Sequence, residues 1–148
     1  MVDRGTSSHT NDIAYDAFSS HDPARLALEH ITGRWGMPTL GALARGPVRF
    51  NALVRRIDGV SRKMLARTLQ ALERDGFVRR DVQTATALHV EYSLTPLGFE
   101  VAAKALELIG LLQRHMSDVL AAHRRADGVA PSSDTVEIWV TSRFLLDA

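Results

Sequence analysis

The stretch Ser61-Arg62-Lys63-Met64-Leu65-Ala66-Arg67-Thr68-Leu69-Gln70-Ala71-Leu72-Glu73-Arg74-Asp75-Gly76 decides the fold. Leu65, Leu69 and Leu72 recur at the spacing that stacks side chains on one side of an α-helix, and Arg62, Lys63, Arg67, Gln70 and Arg74 take the rest of its surface. Ser61 supplies an N-cap, and Gly76 supplies a residue able to take positive φ beyond the other end. A helix of this kind rests on a core with one face and offers cations to phosphates with the other.

The neighbouring residues give that helix its setting. Upstream, Phe50, Leu53, Val54 and Ile57 mark a shorter helix with Arg55 and Arg56 at its polar end, and Asp58-Gly59 makes a tight turn between the two. Downstream, Phe77 to Val82 and His89 to Leu94 are β-prone stretches joined by Gln83 to Leu88, with Val90, Tyr92 and Leu94 on one face of the second. Helix, turn, helix and hairpin over residues 49–99 predict a winged helix-turn-helix, mainly α with a small β-hairpin wing.

Further out, Asp22-Pro23 predicts a helix start, with Leu26, Ala27, His30 and Ile31 at helical spacing until Gly33. Pro38 is expected to begin a second, buried helix through Leu40 and Leu43 to a stop at Gly46-Pro47. Residues 1–21 read as an arm, with an apolar cluster at Ile13, Ala14, Ala17 and Phe18 suited to a short helix. Thr95-Pro96 opens a long helix expected to run from about Leu97 to about Arg124. Its apolar positions form two seams: Leu97, Val101, Ala105, Leu108 and Leu112, and beside them Ala102, Leu106, Ile109, Met116 and Leu120. Leu111 also interrupts the polar row of Glu100, Lys104, Glu107, Arg114 and Asp118. Two seams require two packing partners, so the helix over about 96–124 is read as packing on its own domain and on a second copy of the chain, with Leu108, Leu111, Leu112, Met116 and Leu120 at that homodimer interface. One winged helix-turn-helix domain of the kind that binds DNA is therefore expected over 22–124, and 125–148 is read as an extension. In it Asp127 to Ser133 reads as a linker, Val136, Ile138 and Val140 alternate as in a strand, and Phe144, Leu145 and Leu146 are apolar enough to dock on the body or across the dimer.

Composition narrows the function. The 148 residues are 45% hydrophobic, enough for one core, and contain no cysteine, which removes disulfides, thiolate metal sites and thiol redox switches. No run approaches the ~18 apolar residues of a membrane span, and the start lacks the apolar segment of a signal peptide, so no membrane association and a cytoplasmic location are expected. The formal net charge is +1, yet residues 25–80 hold twelve Lys and Arg against four Asp and Glu, a local +8 that suits a polyanionic partner. His9, His21, His30, His89, His115 and His123 are scattered, with no cluster of acid, base and nucleophile, so neither catalysis nor a cofactor is expected.

From Leu26 to about Leu112 the chain resembles the HxlR-type regulators, winged-helix transcription factors related in shape to the MarR group. The resemblance is carried by Gly33-Arg34-Trp35, by Gly46-Pro47-Val48-Arg49-Phe50-Asn51-Ala52-Leu53, by Ser61-Arg62-Lys63-Met64-Leu65, by Glu73-Arg74-Asp75-Gly76-Phe77-Val78 and by Val90-Glu91-Tyr92-Ser93-Leu94-Thr95-Pro96-Leu97-Gly98. It implies a homodimeric regulator of transcription that binds double-stranded DNA; repression is the expected sign, although the sequence itself does not separate repressor from activator. Three departures stand out: His21 to Arg25 has no cysteine where many such proteins carry one, the second helix contains Gly36, Pro38 and Thr39 instead of an aliphatic run, and the wing tip Thr84 to Leu88 lacks proline and arginine.

In such a protein Lys and Arg gain affinity by releasing counterions, and a few side chains read base edges. Ser61, Arg62, Lys63 and Arg67 are the expected major-groove set, with Arg62 or Arg67 suited to bidentate hydrogen bonds to guanine and Gln70 a reader one turn later. Arg49, Asn51, Arg79 and Arg80 are expected at phosphates. A dimer would set two such helices about 34 Å apart, on an inverted repeat. A space for a small-molecule effector of unknown identity would draw on Trp35, Met37, Phe50, Met116 and Trp139, residue types that more often fill an ordinary core. The competing reading is a winged-helix protein-interaction module that does not bind DNA; the local +8 speaks against it.

Overall fold

Asp22 organises the first part of the chain that the structure, a computed structural model, describes; the described residues are 14–83 and 89–128. Its carboxylate accepts from the backbone N–H of Asp16 (2.9 Å) and of Ala24 (2.8 Å), so it both ties down the preceding turns and caps α1 (Pro23–Thr32). Ala14 to His21 forms these turns instead of the short helix expected there. The expectations for Ile13, the wing tip and the apolar tail from residue 129 onward, Trp139 included, lie outside the described residues.

The second helix, α2 (Gly36–Leu43), starts two residues earlier than the expected Pro38. Pro38 then sits within the first turn, where backbone N–H groups have no intrahelical acceptor and a missing one costs nothing. Gly36 permits the early start, because a Cβ at that position would overlap the carbonyl oxygens of His30 and Ile31. The residues that depart from the aliphatic pattern are thus what lets α2 begin directly against the end of α1.

After Gly46-Pro47 comes a two-residue strand that periodicity does not reveal, β1 (Val48–Arg49), followed at once by α3 (Phe50–Arg56). A turn with Gly59 at φ +81° leads to α4 (Arg62–Arg74), where Ser61 Oγ accepts from the Met64 N–H (3.1 Å). The far end of α4 closes with Gly76 at φ +81°: its N–H donates to Glu73 O (3.0 Å) and the Phe77 N–H to Leu72 O (2.9 Å). Because Phe77 is used in that closure, the wing strand β2 (Val78–Gln83) begins one residue later than the apolar run suggests. It pairs antiparallel with β3 (His89–Leu94) from Val78 opposite Leu94 to Gln83 opposite His89. β1 joins the other edge of β3, Val48 opposite Tyr92 and Arg49 opposite Glu91, which makes the expected hairpin a three-stranded sheet in the order β1-β3-β2.

Thr95 joins the wing to the C-terminal helices. Its hydroxyl accepts from the Gly98 N–H (3.0 Å) as an N-cap and donates to Gly76 O (2.6 Å), while its backbone N–H donates to Phe77 O (3.1 Å). Gly98 completes the joint, since a Cβ there would overlap the Phe77 carbonyl. The end of α4 and the start of the next helix are therefore one rigid corner.

The single long helix expected over about 96–124 is two helices, α5 (Pro96–Arg114) and α6 (Met116–Ala126), separated by His115 at φ −110°, ψ 15°. His115 Nδ1 lies 3.2 Å from Asp118 Oδ2, in the first turn of α6. Leu112, Met116 and Leu120 keep their four-residue spacing across the joint, so the apolar pattern carries no sign of it. The division into two seams also changes. The face turned to the domain is Gly98, outside both seams, with Ala102 and Ala105, one from each, flanked by half-buried Val101 and Ile109. Small residues bring α5 close to α2, where Gly41 meets Leu106, and the bulk of the leucines is left outside. The core itself lies between α2, α3, α4 and the sheet: Leu40, Leu43, Leu53, Leu65, Leu69 and Leu72 are fully buried, with Val48, Ile57, Val60, Phe77, Val78, Tyr92 and Leu94 around them.

Candidate nucleic-acid interface

With Leu65, Leu69 and Leu72 turned inward, helical geometry turns Arg62, Lys63, Arg67, Gln70 and Arg74 outward, and all five are exposed. Met64, also exposed, adds an apolar side chain to this surface. Ser61 is spent as an acceptor on the helix start, which leaves its hydroxyl hydrogen for a partner outside the chain.

The local +8 divides into cations the fold uses and cations it leaves. Arg25 pairs with Glu29 (3.1 Å), Arg34 lies over the Trp35 ring, and Arg56 donates to Ala42 O in the last turn of α2 (3.0 Å). Arg62 donates to Asn51 Oδ1 (2.8 Å) and stacks on Phe50, 5.2 Å from the ring centroid. Lys63, Arg67, Arg49, Arg55, Arg79 and Arg80, by contrast, have no ion pair or hydrogen-bonded side-chain partner among the described residues. Such a cluster of exposed cations without carboxylate partners makes a positive field that draws anions to this surface.

The residues expected at phosphates separate in space. Arg79 and Arg80 are neighbours on β2 and therefore leave the wing on opposite faces: Arg80 stands opposite Tyr92, on the side that leads to the core, and Arg79 opposite Ser93, on the other. Arg49, by contrast, joins Asn51 in lining a hollow of about 440 Å3, together with Phe50, Ala52, Arg55, His89 and Val90. Arg55 and His89 had no assigned role in the sequence. Arg55 lies one turn beyond Asn51 on the same helix face, a signal open to sequence reading; His89 comes there through strand register, which is not.

Four of the five residues named for an effector space, Trp35, Met37, Phe50 and Met116, are among the described residues. Trp35 and Phe50 pack against the core cluster, Met37 and Met116 are half-buried, and Phe50 lines the hollow. No three His, Asp or Glu side chains come together as metal ligands among the described residues, and no helix among them is long and apolar enough to cross a membrane.

Residues 30–119 match the family model described as HxlR-like helix-turn-helix. The chain is 48% identical over 104 residues to the uncharacterized HTH-type transcriptional regulator YtfH of Escherichia coli (strain K12), across 70% of this chain and 82% of that one. Among solved structures, the transcriptional regulator YtfH from Salmonella typhimurium superposes with a TM-score of 0.71 at 44% identity, covering 75% of this chain and 99% of that one. A MarR-family transcriptional regulator from Enterococcus faecalis V583 superposes with a TM-score of 0.55 at 28% identity, over 79% of this chain and 99% of that one. The order of helices and wing built above is the one these regulators share, and the chain belongs to the HxlR-like helix-turn-helix family of transcriptional regulators.

Proposed function

We propose that the chain is a homodimeric, sequence-specific DNA-binding protein that occupies an inverted repeat and represses the gene it covers. The observation that carries the reading is the division of α4: leucines seated in the core on one side, and on the other Lys63 and Arg67 without a carboxylate partner among the described residues. Ser61, Arg62, Lys63, Arg67 and Gln70 enter the major groove, and Arg49, Asn51, Arg79 and Arg80 meet phosphates on either side. Bound at a promoter, a dimer of this size excludes the polymerase, which gives repression as the sign. A regulator of this kind works beside the chromosome, in the cytoplasm.

The dimer rests on the apolar surface that α5 and α6 leave uncovered: Leu108, Leu111, Leu112 and Leu120 are 42–50% exposed, with Met116 half-buried among them. Selection of bound duplexes from a random pool tests the whole reading, with an inverted repeat as the expected product. On the selected duplex, Arg67→Ala weakens binding by about 1–3 kcal/mol and relaxes the preference at one base of each half-site. An unchanged affinity and preference would remove Arg67 from the reading set. Failure of the wild-type protein to bind any duplex at low salt would leave the protein-interaction module as the better reading.

A further inference from the structure

We infer that Asn51 is a positioning residue for base reading and not a phosphate contact: with Phe50 it holds the Arg62 guanidinium in place before DNA arrives. The inference rests on the DNA reading above and reassigns one of its residues. Three elements contribute to the arrangement. Tyr92 of β3 is buried, and its ring lies 6.4 Å from that of Phe50 at an interplanar angle of 50°. Phe50, the first residue of α3, carries the Arg62 guanidinium on its face at 5.2 Å. Asn51, the next residue, accepts a hydrogen bond from Arg62 Nη2 at 2.8 Å. The core thus fixes one ring, that ring fixes the second, and the second ring with one amide oxygen fixes a cation that starts the recognition helix.

The chemistry of the guanidinium makes this hold useful instead of competitive. Arginine has five N–H donors in a planar fork, and Asn51 takes one of them, so an edge able to donate two parallel hydrogen bonds to guanine remains. A free arginine on a helix surface must give up rotamer freedom when it makes such a pair; one already stacked and hydrogen-bonded has given it up on folding. The neutral acceptor matters as well. A carboxylate at position 51 would hold Arg62 more tightly and also cancel charge that the phosphates need, whereas an amide oxygen orients without neutralising. Lys63 and Arg67, also exposed on α4, have no such support among the described residues.

Asn51 is exposed, so its replacement leaves the core intact and the full-length protein can be compared directly with the wild type. Relative affinities of Asn51→Ala, Arg62→Ala and the double variant would be measured against duplexes carrying each base at each half-site position, at one fixed salt concentration. The expected result for Asn51→Ala is a drop of about tenfold in discrimination at one base position, the same position that Arg62→Ala loses, with other positions unchanged. The double variant should discriminate no worse than Arg62→Ala alone. Asn51→Asp, which keeps an acceptor for Arg62, should restore the preference at that base while lowering affinity for every sequence. Uniform weakening by Asn51→Ala across all sequences would make Asn51 a phosphate contact and overturn the proposal, as would additive losses in the double variant. A wild-type protein with no preference among duplexes would overturn the DNA reading itself, and the positioning role with it, so the two failures are told apart by the wild-type lane alone.

Discussion

α4 and α5 are both amphipathic helices with leucines at helical spacing, and they dispose of those leucines in opposite ways. In α4 they are sealed away, Leu65, Leu69 and Leu72 being at most 1% exposed, and the outward face is charged. In α5 the residues against the domain are Gly98, Ala102 and Ala105, and the leucines look out: Leu97 and Leu112 are each 50% exposed. A large side chain on a helix facing a deep core fills it, while small side chains let two helix backbones come close and push the bulk to the far side. Apolar spacing alone announces that a helix has an apolar face; which apolar residues are covered by the same chain depends on size and on what lies across the contact.

The comparison predicts unequal consequences for similar substitutions. Leu69→Ala removes a buried leucine from the middle of the core and should cost about 2–5 kcal/mol of stability, the largest effect of the set, measured by denaturant unfolding. A cost below about 1 kcal/mol would mean that α4 does not anchor the domain. Gly98→Ala tests the opposite style of contact by adding a single methyl. Its Cβ would meet the Phe77 carbonyl, which is backbone and held by the Thr95 N–H, so neither side can yield without moving the corner between wing and α5. Overpacking of this kind costs about 1–3 kcal/mol. The ordinary gain from replacing a helical glycine by alanine runs the other way by up to about 1 kcal/mol, so a net loss in thermal unfolding would show that the close approach dominates.

What the residues disclosed and what they concealed follows the range of the forces involved. The starts of α1, α4 and α5 were legible because Asp22-Pro23, Ser61 and Thr95-Pro96 act on backbone groups two or three residues away. The close of α4 at Gly76 was legible for the same reason. The start of α2 was not, because no side chain caps it and Gly36 matters only through its contact with the end of α1. β1 has no periodicity to display at two residues long, and its strand character comes wholly from pairing with β3. The joint at His115 is a single residue out of helical register with neither glycine nor proline to mark it. At the site, the outward residues of α4 could be named from the heptad-like leucines, whereas the tie between Arg62 and Asn51 spans eleven positions and needs both helices in place. Arg56 shows the same limit from the other side: it adds to the local positive charge, but its guanidinium is turned to the Ala42 carbonyl.

The smallest expected effect on the fold belongs to Leu111, and it tests the comparison most sharply. Leu111 lies on α5, 47% exposed among the described residues, in a row otherwise polar. Lysine has nearly the helix propensity of leucine, so Leu111→Lys should change the stability of the isolated protomer by no more than about 0.5 kcal/mol. The comparison with Leu69→Ala has to be made at dilutions where the proposed dimerisation would no longer add to stability by mass action. In the proposed dimer the same substitution puts a like charge from each protomer into an apolar interface, so at higher concentration sedimentation should show protomers in place of the dimers proposed for the wild type. If the proposed dimer is lost, its two α4 helices no longer act together, and affinity for a duplex with both half-sites should fall by about 10²–10⁴-fold toward that of a single half-site. A large loss of protomer stability with assembly unchanged would instead mean that Leu111 is covered by its own chain, and α5 would then differ from α4 in degree and not in kind.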